Sequence, residues 1–166
     1  MEIKKIYIDM DGVLADFDEG LRQFFNMEPE PQGHQTDEGQ GKMWEEIKEY
    51  GHFYFDLPPI EGAIEAFKLI YEKYGDACEI LTGIPKEKRG IVHAKEDKVN
   101  WVRKYLSEDI KVNLVLRKEK QQFVTGKDCV LIDDYRINAT EWTDAGGTAI
   151  LFETWEDVLE KLDIKN

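Results

Sequence analysis

The sequence lacks the features that mark secreted and membrane-spanning proteins. Its 166 residues include two cysteines, Cys78 and Cys129, and both lie in apolar, strand-like stretches. Two buried thiols fit a reducing cytosol better than a disulfide scaffold. No apolar run approaches the roughly 20 residues that a transmembrane helix needs. The chain also starts directly in a strand-like segment, which leaves no room for a signal peptide. We therefore expect a cytoplasmic protein without a membrane partner.

Positive charge is scarce as well. The chain has 22 Lys and Arg residues against 35 Asp and Glu residues, a net charge of −13. Such a field repels phosphate backbones, so we expect no nucleic acid polymer as a partner. A small anionic substrate stays compatible with this charge if positive groups converge at one place. Solubility alone is the other explanation of the acidity.

Apolar segments alternate with segments of helical period along most of the chain. The strand-like segments share a short length and a high content of Ile, Leu and Val; they are residues 3–8, 78–81, 112–116, 129–132 and 148–151. Helical periods occupy residues 63–74, 99–106 and 155–162. This alternation predicts an α/β fold, a Rossmann-like parallel sheet with helices on both faces.

Residues 15–59 interrupt the alternation directly after the first strand. They contain a helical pattern at 17–27, a loop rich in Pro, Gly and Gln at 29–41 and a second helical pattern at 43–50. We expect a small helical cap over the sheet, which divides the chain into a core of residues 1–14 and 60–166 and a cap of residues 15–59. The alternative is a helical hairpin that takes no part in a site.

Acidic side chains follow two of the predicted strands where each strand ends. Asp9 and Asp11 follow the first strand, Thr82 ends the second, and Asp133 and Asp134 follow the fourth. Ligands of open α/β sheets bind beyond the carboxyl ends of the strands, so these residues are expected to meet at one edge. Four clustered carboxylates repel one another unless a cation lies between them. A hard divalent ion such as Mg²⁺ is the natural one.

Other residues of this edge suit a phosphate group. Thr82 offers a hydroxyl, Gly83 an unhindered backbone amide and Lys98 a positive charge at the start of a helix. Each of them alone has a common structural explanation, and only the combination with the acidic pairs indicates a site. Arg117 and Lys120 follow the third strand and could add positive charge, but a surface cluster is the expected reading of that pair.

The motifs and their order resemble the haloacid dehalogenase-like (HAD) phosphatase superfamily. The residues within and around these motifs most resemble those of the 5′(3′)-deoxyribonucleotidase family. The segments that carry the resemblance are DMDGVLADF at 9–17, FYFDLPP at 53–59, KVNWV at 98–102 and LIDD at 131–134. The chain departs from the family where Gly83 follows Thr82, because a second hydroxyl is common there.

The resemblance implies a role for each residue. Asp9 would be the nucleophile and a Mg²⁺ ligand. Asp11 would offer its backbone carbonyl to the metal and its side chain as general acid, then base. Phosphate-binding residues would be Thr82, Gly83 and Lys98, and Asp134 with Asp133 would complete the metal site.

The resemblance also implies a small phosphomonoester as substrate, a (deoxy)nucleoside monophosphate above all. Aromatic residues that could stack on its base are Phe17, Trp44, Phe53 and Tyr54. Stacking on an aromatic face contributes roughly 1–3 kcal/mol per base and tolerates different bases. The alternative is an HAD phosphatase for a sugar phosphate or a nucleic-acid end phosphate. A homodimer is compatible with the resemblance.

A phosphoacceptor signalling domain also combines an acidic pair, a Thr and a Lys. The motif order argues against it, because such domains carry the phosphorylated Asp at the third strand. Here the third apolar run ends in Leu116 and Arg117.

Overall fold

A parallel sheet organises the chain in the computed structural model, which describes residues 2–165. Five strands form this sheet within the described residues: β1 (Lys5–Ile8), β2 (Cys78–Gly83), β3 (Val112–Val115), β4 (Cys129–Asp133) and β5 (Thr148–Leu151). Their order across the sheet is β3-β2-β1-β4-β5, and every neighbouring pair is parallel. The predicted α/β class is therefore confirmed.

The connecting helices cover both faces of the sheet. They are α4 (Ala63–Tyr74), α5 (Ala94–Tyr105), α6 (Arg136–Asp144) and α7 (Trp155–Lys161). Side chains alternate along each strand, so Ile6 and Ile8 join one apolar cluster, with residues of α4, α5 and α7. Tyr7 joins a second cluster, in which Trp142 of α6 covers the opposite face.

Sequence periodicity did not predict α6. This helix buries Asn138 and Trp142 and little else, so its apolar stripe is too sparse to give a helical signal. Trp142 is fully buried, and its indole Nε1 donates to the carbonyl of Cys129 at 3.1 Å. Trp142 therefore anchors this helix to β4.

Residues between β1 and α4 form three helices: α1 (Phe17–Phe25), α2 (Asp37–Tyr50) and α3 (Phe53–Asp56). The chain leaves the core and returns at adjacent places. The amide of Asp16 donates to Pro58 at 2.7 Å, and the amide of Ile60 donates to Leu14 at 2.8 Å. This paired neck agrees with cap limits near residues 15 and 59, which stay a prediction. Residues 2–165 contain no helix long and apolar enough to cross a bilayer.

Helix α2 begins earlier than its apolar pattern indicates. The hydroxyl of Thr36 accepts from the amide of Gly39 at 3.0 Å and so caps the helix start. Glu30 in turn accepts from the amide and the hydroxyl of Thr36. A Cβ on Gly39 would lie 2.3 Å from Glu30 Oε1, so glycine allows this close approach. The predicted loop at 29–41 is therefore wrong from Asp37 onward.

Candidate active site

The site lies at the carboxyl edge of the central strand β1. The amide of Asp9 donates to the carbonyl of Ile132 at 3.0 Å, which extends the pairing of β1 with β4 by one residue. The chain continues from β1 to β2 and β3 on one side of β1, and it then crosses to β4 and β5 on the other side. This is the switch point where ligands of open α/β sheets bind. The structure brings the residues expected at this edge together.

A buried lysine holds the first of these carboxylates. Lys120 lies in a 3₁₀ segment, Arg117–Phe123, and is 3% exposed. Its Nζ donates to Asp9 Oδ1 and to Asp133 Oδ2, both at 2.8 Å. Burial alone would lower the pKa of Lys120, but these two carboxylates raise it well above its usual value. The expectation of a surface cluster is therefore wrong for Lys120.

Three carboxylates of this edge could hold a metal ion. Oxygens of Asp9, Asp133 and Asp134 lie within 4.8 Å of one another. Burial, with the nearby charge of Asp9, raises the pKa of Asp133 to about 6 and that of Asp134 to about 8. The ionised cluster is therefore unfavourable by itself, and an oxygen-seeking divalent cation offsets the repulsion. These residues fit Mg²⁺.

Gly12 makes room for this cluster. Its φ is +82°, in the left-handed region that favours glycine. A Cβ at this position would lie 2.1 Å from Asp134 Oδ2, so any larger residue would displace the Asp134 carboxylate. Gly12, which follows Asp11, therefore leaves the space that the Asp134 carboxylate occupies.

A second buried lysine holds Asp11. Lys98 lies in the second turn of α5, since the helix begins at Ala94 and not at Lys98 as expected. Lys98 is fully buried, and its Nζ donates to Asp11 Oδ2 and to Thr82 Oγ1, both at 2.8 Å. The same ammonium lies 4.6 Å from the ring centre of Tyr54. Asp11 Oδ1 is buried without a hydrogen-bond partner among the described residues.

Comparison with known proteins assigns the chain to a family. Residues 2–158 match the family model described as 5′ nucleotidase, deoxy (pyrimidine), cytosolic type C protein. The chain belongs to this family. The resemblance found in the sequence is confirmed, and with it membership of a family of phosphomonoester hydrolases.

Two human members of the deoxyribonucleotidase family show the degree of similarity. The mitochondrial 5′(3′)-deoxyribonucleotidase is 29% identical over 171 residues, which cover 93% of this chain and 69% of the relative. The cytosolic type is 30% identical over 146 residues, which cover 78% and 70%. A HAD family enzyme from Bacteroides thetaiotaomicron, solved as a magnesium complex, has a TM-score of 0.51 at 18% identity and covers 96% of this chain and 99% of its own. This last likeness shows the HAD-like fold.

Gly83 and Arg117 lie beside each other in this family member. Gly83 ends β2, and a Cβ there would lie 3.6 Å from the α-carbon of Arg117. The Arg117 guanidinium donates to Asn138 Oδ1 and to Glu141 Oε1, both at 2.9 Å. Arg117 is therefore engaged with α6 rather than directed at a phosphate.

The four aromatic residues expected at the nucleobase have different surroundings. Phe53 is fully buried and stacks on Phe25 with ring centres 5.6 Å apart. Tyr54 is 3% exposed and faces Lys98. Phe17 and Trp44 retain partly exposed surface. Phe53 thus packs the cap in this structure, and nucleobase stacking by any of these four rings stays a prediction.

Sequence reasoning expected Lys120 in a surface cluster and not in contact with Asp9. The residue belongs to a charged stretch, Arg-Lys-Glu-Lys at 117–120, in which no periodicity separates a buried lysine from exposed ones. Lys118 is exposed and Lys120 is buried, because the 3₁₀ turn directs the two to different sides. The position just past the third strand was the one available signal.

Proposed function

We propose that this chain is a Mg²⁺-dependent phosphomonoesterase that dephosphorylates (deoxy)nucleoside monophosphates through an aspartyl-phosphate at Asp9. The observation that carries the proposal is the Asp9 carboxylate, 6% exposed at the end of the central strand and held at Oδ1 by Lys120. A second carboxylate, Asp11, lies two residues further on with one unpartnered oxygen. Family membership supports the same assignment.

Charge neutralisation and positioning are what phosphoryl transfer requires from a protein. Lys120, which lies against the nucleophile, brings positive charge to the place where the phosphate must bind. We propose that the Thr82 hydroxyl and the Gly83 amide bind phosphate oxygens at the end of β2. When bound, Mg²⁺ would supply further positive charge to these oxygens. Its ligands would be Asp9, Asp134 with Asp133, and the backbone carbonyl of Asp11.

The reaction would have two steps at the same phosphorus. A carboxylate oxygen of Asp9 forms a bond to phosphorus as the bond to the ester oxygen breaks. Asp11 gives its proton to the departing alkoxide, so the nucleoside leaves as an alcohol. Asp11 then takes a proton from water, which attacks phosphorus and releases Asp9 and inorganic phosphate.

Lys98 would act on this cycle through Asp11. Its Nζ donates to Asp11 Oδ2 and to Thr82 Oγ1, both at 2.8 Å. The lysine would fix the rotation of the Asp11 carboxylate and leave its other oxygen, which has no partner among the described residues, for proton transfer. Direct phosphate binding by Lys98, as the family resemblance implies, stays a prediction; Lys120 is the lysine in contact with the nucleophile.

Substitution of the two aspartates tests the mechanism. Asp9→Asn should abolish Mg²⁺-dependent hydrolysis of an aryl phosphate, because the amide is a poor nucleophile. Asp11→Asn should lose turnover but accumulate phosphoenzyme, which acid quenching with labelled substrate detects. Asp128→Asn, between the 3₁₀ segment and β4, is the matched control and should keep wild-type turnover. Substantial activity in Asp9→Asn would refute the nucleophile assignment.

A substrate panel tests the specificity. Nucleoside 5′- and 3′-monophosphates are compared with sugar phosphates by phosphate release at equal concentration. The proposal expects kcat/KM for dUMP, dTMP or UMP to exceed that for sugar phosphates. Equal kcat/KM values would refute the nucleotide specificity and favour another small phosphoester as substrate. They would not affect the proposed mechanism.

A further inference from the structure

A continuous chain of hydrogen bonds links the surface of α6 to the nucleophile. Glu141 Oε1 accepts from Arg117, which also donates to Asn138 Oδ1; both distances are 2.9 Å. Asn138 Nδ2 donates to Asp133 Oδ2 at 3.1 Å, and this same oxygen accepts from Lys120. We infer that Asn138, oriented by Arg117, is a positioning residue that sets Lys120 against Asp9. The inference rests on the proposed function.

Arg117 decides which way the Asn138 amide points. A guanidinium donates and never accepts, so the atom of the amide that faces Arg117 must be the oxygen. The NH₂ group of Asn138 is therefore directed at Asp133. Asn138 is 5% exposed, so solvent does not offer an alternative partner for either end of the amide.

The Asn138 bond restricts the Asp133 carboxylate at the oxygen that matters for Lys120. Asp133 Oδ1 accepts from the amide of Tyr135 at 2.9 Å, and Oδ2 is shared by Asn138 and Lys120. With both oxygens engaged, the carboxylate cannot rotate without losing a bond in a fully buried place. Lys120 has Asp133 and Asp9 as its two acceptors, so the fixed position of Asp133 Oδ2 also fixes the ammonium beside Asp9.

Asn138→Leu is the first test, because it keeps the approximate volume and removes the donor. Outer-sphere hydrogen bonds of this kind affect activity by about 10- to 100-fold. We expect kcat to fall by that factor, and KM for a nucleotide to rise as phosphate binding weakens. Asn113→Leu is the matched control, because Asn113 also donates to a carboxylate, Glu79 Oε1 at 2.9 Å, outside the candidate site. Its kcat should stay near wild type when both variants are assayed as folded protein, well below their unfolding midpoints.

Arg117 variants separate positioning from a loss of structure. Arg117→Met should lower kcat to a similar degree as Asn138→Leu, and the double variant should lose no more than the worse single one. Two changes that act through the same amide are not additive. Arg117→Lys keeps a donor for Asn138 Oδ1 and should restore most of the activity. Multiplied losses in the double variant, or a wild-type kcat in Asn138→Leu, would overturn the inference.

Phosphate affinity keeps this test distinct from that of the proposed function. Binding of inorganic phosphate is measured by calorimetry in the presence of Mg²⁺, whether or not a nucleotide is turned over. Asn138→Leu should weaken this binding, and Asn113→Leu should not. If the wild type hydrolyses no phosphomonoester but the two variants differ in this way, the proposed function fails and the positioning role stands. Equal phosphate affinity in wild type and Asn138→Leu overturns the positioning role alone.

Discussion

Removal of the Lys120 ammonium should cost both stability and activity, because two carboxylates depend on it. In Lys120→Met the side chain keeps its approximate length and loses its two 2.8 Å bonds to Asp9 and Asp133. Breaking a buried ion pair by removing one partner typically costs 3–5 kcal/mol, roughly speaking. Asp133 keeps its bonds from Tyr135 and Asn138, so we expect the lower part of this range, about 3 kcal/mol. Urea unfolding at pH 7.5 measures it.

The loss of activity in Lys120→Met should exceed what the loss of stability explains. Removal of one group that stabilises transition-state charge typically lowers kcat by about 10²- to 10³-fold. We expect a loss of this size in aryl phosphate hydrolysis with saturating Mg²⁺, measured where circular dichroism shows the variant folded. Lys118→Met is the control, because Lys118 is exposed in the same segment. A kcat within threefold of wild type would refute the role given to Lys120.

Three further predictions concern the metal cluster and the cap. The pKa of Asp133 is raised to about 6 and that of Asp134 to about 8, so these two groups bind more protons in the folded chain than in the unfolded chain between roughly pH 4 and 8. The metal-free protein should therefore lose thermal stability as pH rises through this window. Addition of Mg²⁺ should restore that stability. Gly12→Ala should weaken Mg²⁺ affinity by more than about tenfold in a thermal-shift titration, because its methyl group would displace Asp134 from the cluster. The hydrogen bond to Asp97 raises the pKa of His52, so this pair should stabilise the fold fully below about pH 6.5 and lose its effect as pH rises through the folded-state pKa. Urea midpoints of His52→Gln should accordingly differ from wild type more at pH 6 than at pH 8.5.

Each of these predictions has a control and a contrary outcome. Asp134→Asn should reduce both the pH slope of the metal-free protein and its response to Mg²⁺; an unchanged slope would contradict the raised pKa of Asp134. Gly33→Ala is the control for Gly12, because Gly33 also has a positive φ but has open space around its Cβ position. For His52, a difference that grows with pH would contradict the assigned direction. His34→Gln serves as the exposed control there.

The strands and the acidic edge were predictable because short-range pattern decides them. A strand buried on both faces must be a run of apolar residues, and the residues that end it must face the ligand edge. Asp9, Asp133 and Asp134 follow from these two rules, and the family motif places Lys98 among them. Predicted strand limits differ from the observed ones by at most two residues, the usual uncertainty of an element's ends.

What the sequence did not predict depends on contacts between distant residues. Lys120 is recognisable as a site residue only when β1 and β4 lie side by side, since its partners are 111 and 13 residues away along the chain. The glycines of residues 29–41 suggested a loop, yet α2 begins within this stretch. Glu30 accepts from the amide of Thr36 at the helix start, and Gly39 leaves room for the Glu30 carboxylate. Phe53 belongs to the aromatic run of the cap, and no local feature told that its ring would be buried.

The two buried lysines contact different carboxylates of the first acidic pair. Lys120 bonds Asp9, and Lys98 bonds Asp11, so each of the paired carboxylates has its own cation. A nucleophile must stay ionised, whereas an acid–base group must gain and lose a proton within one cycle. Separate partners let the surroundings of the two carboxylates differ although they lie two residues apart. In the proposed mechanism, Lys120, bonded to Asp9 and Asp133, would hold the nucleophile, and Lys98 would leave one oxygen of Asp11, without a partner among the described residues, for proton transfer.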